Sequence, residues 1–537
     1  MLHPPRSSFR LTLRATVFGG AGLLLSLGLT GFALGADPAS AAGGITYFVS
    51  TSGGSPTCSA AANSHGAPFS TIQAALNCAA TDATTAASPD SIFVAAGTYD
   101  EMDTIDANVN VYGAGASQTF VNSSATPVVA MGTQTVDLFG LTIEGGTCCE
   151  TAGGGVENEG GFLTVTYDTF TGNSVAGSGG AIDNYQGTLV ATHDTFTGND
   201  GATGAGAIGN EGTATATDDT FSGNWGGDGG GGAIQNRSIL TATDDTFTEN
   251  VAAGNGGGAI WNSGSLTASN DTFSGNSGNY SGSPSGPGGA IWNDGTVTAT
   301  DDTFSGNMTS APLGGGGIYN TGGSVVLSNS VLAGNTPGAD CVGTITDDGY
   351  NIDDDGSCGF SATGSLSDNP DTDLGTLQSN GGPTQTMAIT PASSAFELVR
   401  SASCTVTTDQ RGEPRPGVPG QNCDAGAFEY QAPRFLSRDA ATFTTGRRGL
   451  FFIVAASSDG GTPTLTESGA LPNFVTFTSD GYGIATLSGR PTSRTEGTYV
   501  ITITATDDNG IAVTQEFTLT ELDVGRCCRD TPSAWPR

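Results

Sequence analysis

The sequence predicts an all-β protein, a right-handed parallel β-helix (a solenoid) followed by an Ig-like β-sandwich. Three observations carry the first part. One unit recurs seven times within residues 153–335, its first apolar residue falling at Val156, Ile182, Ile208, Ile234, Ile260, Ile291 and Ile318. Those intervals of 26, 26, 26, 26, 31 and 27 residues are a solenoid period. A second element keeps step, with Phe170, Phe196, Phe221, Phe247, Phe273 and Phe304 each standing three residues before an Asn, and Leu332 with Asn335 closing the series. Between the two run alternating stretches such as Leu240-Thr241-Ala242-Thr243, too short and too rich in Thr and Gly for helices. A lone coil of this kind cannot bury its apolar face, but stacked coils place Ile on Ile and Phe on Phe.

In chain order, residues 1–42 carry Arg6, Arg10 and Arg14, an apolar stretch to Leu34 and Ala39-Ser40-Ala41, the pattern of a cleavable secretory signal peptide. Residues 43–146 are expected to hold an N-terminal cap and early coils. The run Pro68–Leu76 reads as a short amphipathic helix with a Ser or Thr N-cap, a lid for the open end, and Ile92–Tyr99 and Val109–Gly113 as first strands. Residues 147–335 are the repeat coils. Two Asn columns, Asn158 to Asn320 and the Asn of each Phe-x-x-Asn, suit stacked turns whose amides bond along the stack. Residues 336–430 break the period. Residues 431–523 change to strand runs Leu450–Ala455, Ile484–Leu487, Tyr499–Thr506 and Ile511–Leu519, the last two joined by the hairpin signal Asp507-Asp508-Asn509-Gly510, and a seven-strand sandwich is expected. Residues 524–537 remain an unassigned tail.

The pairing of Gly258-Ala259-Ile260 with Phe273-Ser274-Gly275-Asn276 resembles the repeat of the chlamydial polymorphic outer-membrane proteins and of bacterial β-helix proteins related to the pectin lyase-like superfamily. The former resemblance implies a surface passenger with a role in adhesion. The segments Asn380–Thr386, Thr408–Gly412 and Cys423–Glu429 are similar to the closing segment of choice-of-anchor Q domain proteins, implying a capped extracellular β-helix. Leu465 through Pro472 to Pro491 resembles Ig-like domains appended to bacterial secreted proteins as spacers or adhesive modules.

Composition narrows the partners. The chain holds 85 Gly in 537 residues and only 13% charged residues, which suits turn-rich β structure. It has no Lys, Arg237 is the one cation between Asp37 and Val399, and the formal net charge is -36, which disfavours nucleic acid and anionic membrane surfaces. A polysaccharide or a neighbouring cell-surface protein is the expected partner of a monomer that is secreted or displayed on the cell surface. Ten cysteines fit an oxidising compartment, and local spacing pairs Cys58 with Cys78, Cys341 with Cys358 and Cys404 with Cys423; Cys148-Cys149 and Cys527-Cys528 stay unassigned.

No catalytic residues are assigned. Arg237 and His193 fall on different faces, Arg237 reading as a surface turn residue and His193 as one of a permissive turn column with Tyr167, Asp218, Asp244, Asn270, Asp301 and Asn329. Asp168, Asp194, Asp219, Asp245, Asp271 and Asp302 form a carboxylate column, and the doubled positions Asp218-Asp219, Asp244-Asp245 and Asp301-Asp302 are the candidate ligands for calcium. Against this stands the simpler reading of solvated turn aspartates. No cofactor is required. Asn351–Gly356 mimics half an EF-hand loop but reads as a disulfide-closed turn. Outward positions after the buried Ile read Glu157, Asp183, Gly209, Gln235, Trp261, Trp292 and Tyr319, so Trp261, Trp292 and Tyr319 are the candidate ligand-binding residues, for sugar rings or a protein. The bland alternative packs them under the Ser277–Pro287 insertion or against the closing segment. The function expected is binding or adhesion, with glycan recognition and without catalysis. An extracellular polysaccharide lyase or glycoside hydrolase is the alternative, and a structural cell-envelope spacer the second.

Overall fold

The computed structural model describes residues 44–54, 57–58, 66–81, 85–123, 129–148, 153–227, 229–254, 256–279, 287–310, 314–457, 461–492 and 494–523. The segment expected to be a signal peptide, most of the Ser277–Pro287 insertion, Cys149, and the tail with Cys527-Cys528 lie outside the described residues.

The repeat region is a parallel β-solenoid. Among the described residues each of the first six repeat coils gives one strand to each of four parallel sheets, as in Ile182–Tyr185, Thr188–Thr192, Thr195–Thr197 and Asp200–Gly201, and the seventh gives one to each of the first three. We call these sheets one to four; they hold 10, 12, 11 and 7 strands. Identical residues meet in register, Ile182 on Ile208 and Phe196 on Phe221. In the second sheet alternation decides direction, Leu189 and Ala191 pointing into the core and Thr188, Val190 and Thr192 outward.

The core is a set of columns. Phe170, Phe196, Phe221, Phe247, Phe273 and Phe304 are fully buried and stack with centroids 4.7–4.9 Å apart and ring planes within 5°. The Gly-Gly-Ala-Ile start has a steric cause: a Cβ on Gly180, Gly206, Gly232 or Gly258 would lie 1.9–2.2 Å from the carbonyl oxygen of the equivalent Gly one coil on. No side chain fits there. Both Asn columns are buried ladders. Asn184 Nδ2 donates to Asn210 Oδ1 at 2.8 Å, and Asn224 Nδ2 to Asn250 Oδ1 at 2.9 Å while also reaching the carbonyl of Phe196. The permissive turn column is equally regular, with φ of 53–61° at Tyr167, His193, Asp218, Asp244, Asn270, Asp301 and Asn329. Asp and Asn tolerate this left-handed backbone well.

The lid helix spans Ile72–Ala79, starting later than Pro68; Thr71 Oγ1 caps it by accepting from Ala74 N at 3.2 Å. Its buried face, Ile72, Ala75, Leu76 and Cys78, joins the solenoid core. The three disulfides expected from spacing, Cys58–Cys78, Cys341–Cys358 and Cys404–Cys423, are all formed. No helix among the described residues is long and apolar enough to cross a membrane.

The closing segment does more than end the solenoid. Residues 380–430 fold back as a strap along the edge between the second and third sheets. Thr384 Oγ1 donates to the carbonyl of Asp244, Thr246 Oγ1 to that of Gln385, Asn270 Nδ2 to that of Thr408, and Ala427 N to Thr303 Oγ1. The coil hydroxyls and amides that sequence alone treats as solvent-facing are thereby read by the strap. Two buried arginines organise it: within the strap Arg411 bonds Asp409 at 2.8 Å, while Arg415 lies 3.1 Å from Glu429 and reaches the coils at Asp301, 3.7 Å away.

Residues 434–522 form two four-stranded sheets, Arg434–Phe435, Gly449–Ala456, Ile484–Gly489 and Val475–Ser479 against Ala440–Thr444, Ala512–Leu522, Gly497–Thr506 and Thr464–Gly469. Among the described residues the sandwich has eight strands rather than the seven expected; the two-residue Arg434–Phe435 is too short to show as an alternating run. Its core is Ile453, Leu487, Ile501, Ile503, Phe517 and Leu519. The Asp507–Gly510 hairpin meets the strap, Tyr430 Oη lying 2.7 Å from Asp507 Oδ2 and accepting from Asn509 Nδ2 at 2.9 Å.

Candidate functional site

The outward column of the first sheet is set by register: Glu157 beside Asp183, Gly209 beside Gln235, then Trp261, Trp292 and Tyr319 in consecutive coils. The inward Ile of each strand fixes this orientation, since the next residue must face out. Trp261 and Trp292 stack at 5.1 Å with planes within 5°, and with Tyr319 they are half-buried. Parallel stacking turns the indole edges outward. Trp292 Nε1, itself buried, finds no acceptor among the described residues.

Upstream the column turns acidic. Asp183 is pushed up to about 7, by burial first and then by the charges of Glu211 and Glu157. Glu157 is raised as well, by burial and then by Glu159. Arg237, the cation that offsets part of this, pairs with Glu211 at 2.5 Å on the surface. Thus the column offers carboxyls, one of them titrating near neutrality, in line with stacked indoles.

The doubled aspartates divide between two environments. Asp219, Asp245 and Asp302 are fully buried, while Asp218, Asp244 and Asp301 occupy the left-handed turn position before them. The inner carboxylates do not behave as solvated turn groups, and that expectation is corrected here. Asp194 Oδ1 accepts the amide of Asp168 at 2.7 Å, Asp219 that of Asp194 at 2.7 Å, Asp245 that of Asp219 at 2.7 Å, Asp271 that of Asp245 at 2.8 Å, and Asp302 that of Asp271 at 2.7 Å. The column is a backbone-bonding ladder that links each turn to the next. Burial pushes Asp168 up to about 8 and holds Asp194, Asp219, Asp245, Asp271 and Asp302 well above the carboxylate range, with neighbouring aspartates adding to the effect in most of them. Of the outer members, Asp218 lies 3.5 Å from His193 Nδ1, Asp244 is pushed up to about 7 by burial, and Asp301 faces Arg415.

Among the described residues, the three carboxylates whose oxygens come within 4.8 Å of one another are Asp340, Asp354 and Asp355, which sequence reading of the Asn351–Gly356 turn passed over. The Cys341–Cys358 disulfide does close that turn, as expected. Asp340 comes from the strand Ala339–Val342, 14 residues before Asp354, so the trio is a product of folding that local spacing does not display. Asp340 is pushed up to about 8, chiefly by burial and then by Asp354 and Asp355.

Comparison with known proteins defines the class: a β-solenoid with polymorphic-membrane-protein-type repeats and an Ig-like module. Residues 169–185 match the Chlamydia polymorphic membrane protein repeat, and residues 432–521 match the Putative Ig domain. Among solved structures, an endo-fucoidan hydrolase from glycoside hydrolase family 107 and a variant of it are similar at 18% identity over 17% of this chain, with a TM-score of 0.15. The chain spans 14% of the length of those structures. No curated protein matches it.

Proposed function

We propose that this chain is an extracellular or cell-surface binding protein that recognises glycan through Trp261, Trp292 and Tyr319, without chemical turnover. The observation that carries this reading is the indole pair, stacked at 5.1 Å in adjacent coils at an outward position that Tyr319 continues. The half-buried aromatic column supplies a continuous apolar strip on the solenoid surface, of the kind that sugar rings and other partners pack against. The polymorphic membrane protein repeat and three disulfides support a surface or secreted location. A glycan array probed with the full chain, with and without calcium, tests it. Binding lost in a Trp261→Ala/Trp292→Ala variant supports the reading, whereas no binding, or binding unchanged in the variant, refutes it in favour of a protein adhesin or a spacer.

A second reading, glycoside hydrolysis, draws on one observation. Asp183 is held near neutrality beside Glu157 in the same column, the pairing that acid–base cleavage of a glycosidic bond needs. Reducing ends released from a polysaccharide by the wild type and not by Asp183→Asn would favour it over binding alone.

A further inference from the structure

A second row of aromatic rings runs along another face, at the last outward position of the second sheet. Phe48, Phe93, Tyr112 and Phe139 stand in register in successive strands, with ring centroids 5.8, 5.1 and 6.1 Å apart. Tyr167 and His193 extend the row from the following turn position, where φ of 55° and 60° brings their rings to 5.7 Å from Phe139 and 4.8 Å from each other. Six rings at one per coil span about 25 Å.

Its two ends differ. Phe48, Phe93 and Tyr112 are stacked within 24° and show edges. From Tyr112 onward the interplanar angles open to 57°, 73° and 73°, so rings turn out of the stack and present faces. Phe139 and Tyr167 are accordingly 39% and 51% exposed. Core packing does not account for them, because the same strands bury Val136, Leu138, Leu163 and Val165 inward. Nor does the strap, which reaches this edge only from Asp244 onward. Two residues before the rings a parallel polar row, Ser91, Asn110, Asp137 and Thr164, faces the same side and is half-buried. It lies roughly 6.7 Å away.

We propose that this face binds a neutral, extended polysaccharide laid along the solenoid axis, its sugar C–H faces on Phe139, Tyr167 and His193 and its hydroxyls on the Asn110, Asp137 and Thr164 row. Rings repeating once per coil beside a row of hydrogen-bonding groups match a repeating ligand with one apolar face and polar edges. An open strip without walls suits a polymer, and the net charge of -36 disfavours a polyanion. The site is on a different sheet from the indole column and does not depend on it.

The neighbouring coils supply the test variant. Thr166 pairs in register with Phe139, and Asn270 and Asn329 occupy the turn position of Tyr167, so Phe139→Thr/Tyr167→Asn installs residues the fold already carries there. Co-sedimentation of the full chain with insoluble cellulose, chitin and β-mannan is measured for wild type, this variant and Trp261→Ala/Trp292→Ala. Retention by at least one polymer, weakened about tenfold or more in Phe139→Thr/Tyr167→Asn relative to the wild type, is expected, and the tryptophan variant reads the indole column separately. Binding lost only in the tryptophan variant overturns this proposal and leaves the indole reading standing. Equal binding by Phe139→Thr/Tyr167→Asn, or no wild-type binding to any of the three, overturns it as well.

Discussion

Replacing Asp271 by Asn changes one atom in the middle of the buried carboxylate ladder and should stabilise the chain at neutral pH. Asp271 is fully buried, its Oδ1 accepts the amide of Asp245 at 2.8 Å, and its Oδ2 has no hydrogen-bond partner. Burial, then the charges of Asp245 and Asp302, hold its carboxyl well above the usual range. A group raised in this way favours the fold fully below its unfolded pKa of about 3.9, and the contribution is lost as pH climbs through the raised value. In between, folding takes up a proton, and stability falls by about 1.4 kcal/mol per pH unit for each such group. An amide needs no proton and keeps the acceptor for Asp245. The ladder already contains one: Asn351 Oδ1 accepts the amide of Ser330 at 2.9 Å in the equivalent position. Asp271→Asn should therefore gain about 1.4 kcal/mol for each pH unit between the unfolded value and the raised one, and almost nothing at pH 4. Urea unfolding followed by far-UV circular dichroism from pH 4 to 8 measures both. The wild-type midpoint should fall as pH rises and the gap to the variant should open. A gap that does not change with pH, or a variant less stable at pH 7, would mean that the ladder is ionised in the fold and would refute the reasoning.

Other substitutions read other columns. Phe247→Ala, between rings at 4.8 Å on both sides, should cost about 3–5 kcal/mol in the same urea assay. Gly232→Ala drives a methyl to 1.9 Å from the carbonyl of Gly258 and should prevent soluble expression, whereas Gly223→Ala, with φ of 60° and nothing within 4 Å, should express and lose only about 1 kcal/mol. Arg415→Met leaves Glu429 and Asp301 buried without their cation; a loss of about 3–5 kcal/mol and early proteolysis within residues 380–430 are expected, and an unaltered digestion pattern would show that the strap is held by its Thr and Gln contacts alone.

What was legible in the sequence is what the repeat itself specifies. Ile, Phe and Asn recur because each must meet its own kind one coil away, so the period exposed the sheets, the Phe stack, both Asn ladders and the left-handed column before any coordinates. The lid helix and three disulfides were legible for a related reason, being local in sequence. The environment of Asp219, Asp245 and Asp302 was not. An aspartate beside a turn reads as solvated, and only the closure of the coil shows that the carboxylate points inward onto the amide of the preceding turn. The strap was hidden because Gln410 and Arg415 reach coil residues more than 100 positions away, and the Asp340 trio because Asp340 stands on another strand, 14 residues before Asp354.

A solenoid interior leaves little freedom, since any residue that departs from its column strains two neighbours at once. Departures concentrate on outward positions, where they cost the core nothing, and there they are informative. Later coils place Thr or Ser at the position of Phe139 and mostly Asp or Asn at that of Tyr167, yet Phe139 and Tyr167 put large exposed rings there in two successive coils. The first sheet departs the opposite way, polar in its early coils and aromatic at Trp261, Trp292 and Tyr319. Because the backbone frame is the same in every coil, these differences are differences of surface chemistry alone. They place the two aromatic strips on different sheets and in different coils, so that a variant in one strip leaves the other unchanged.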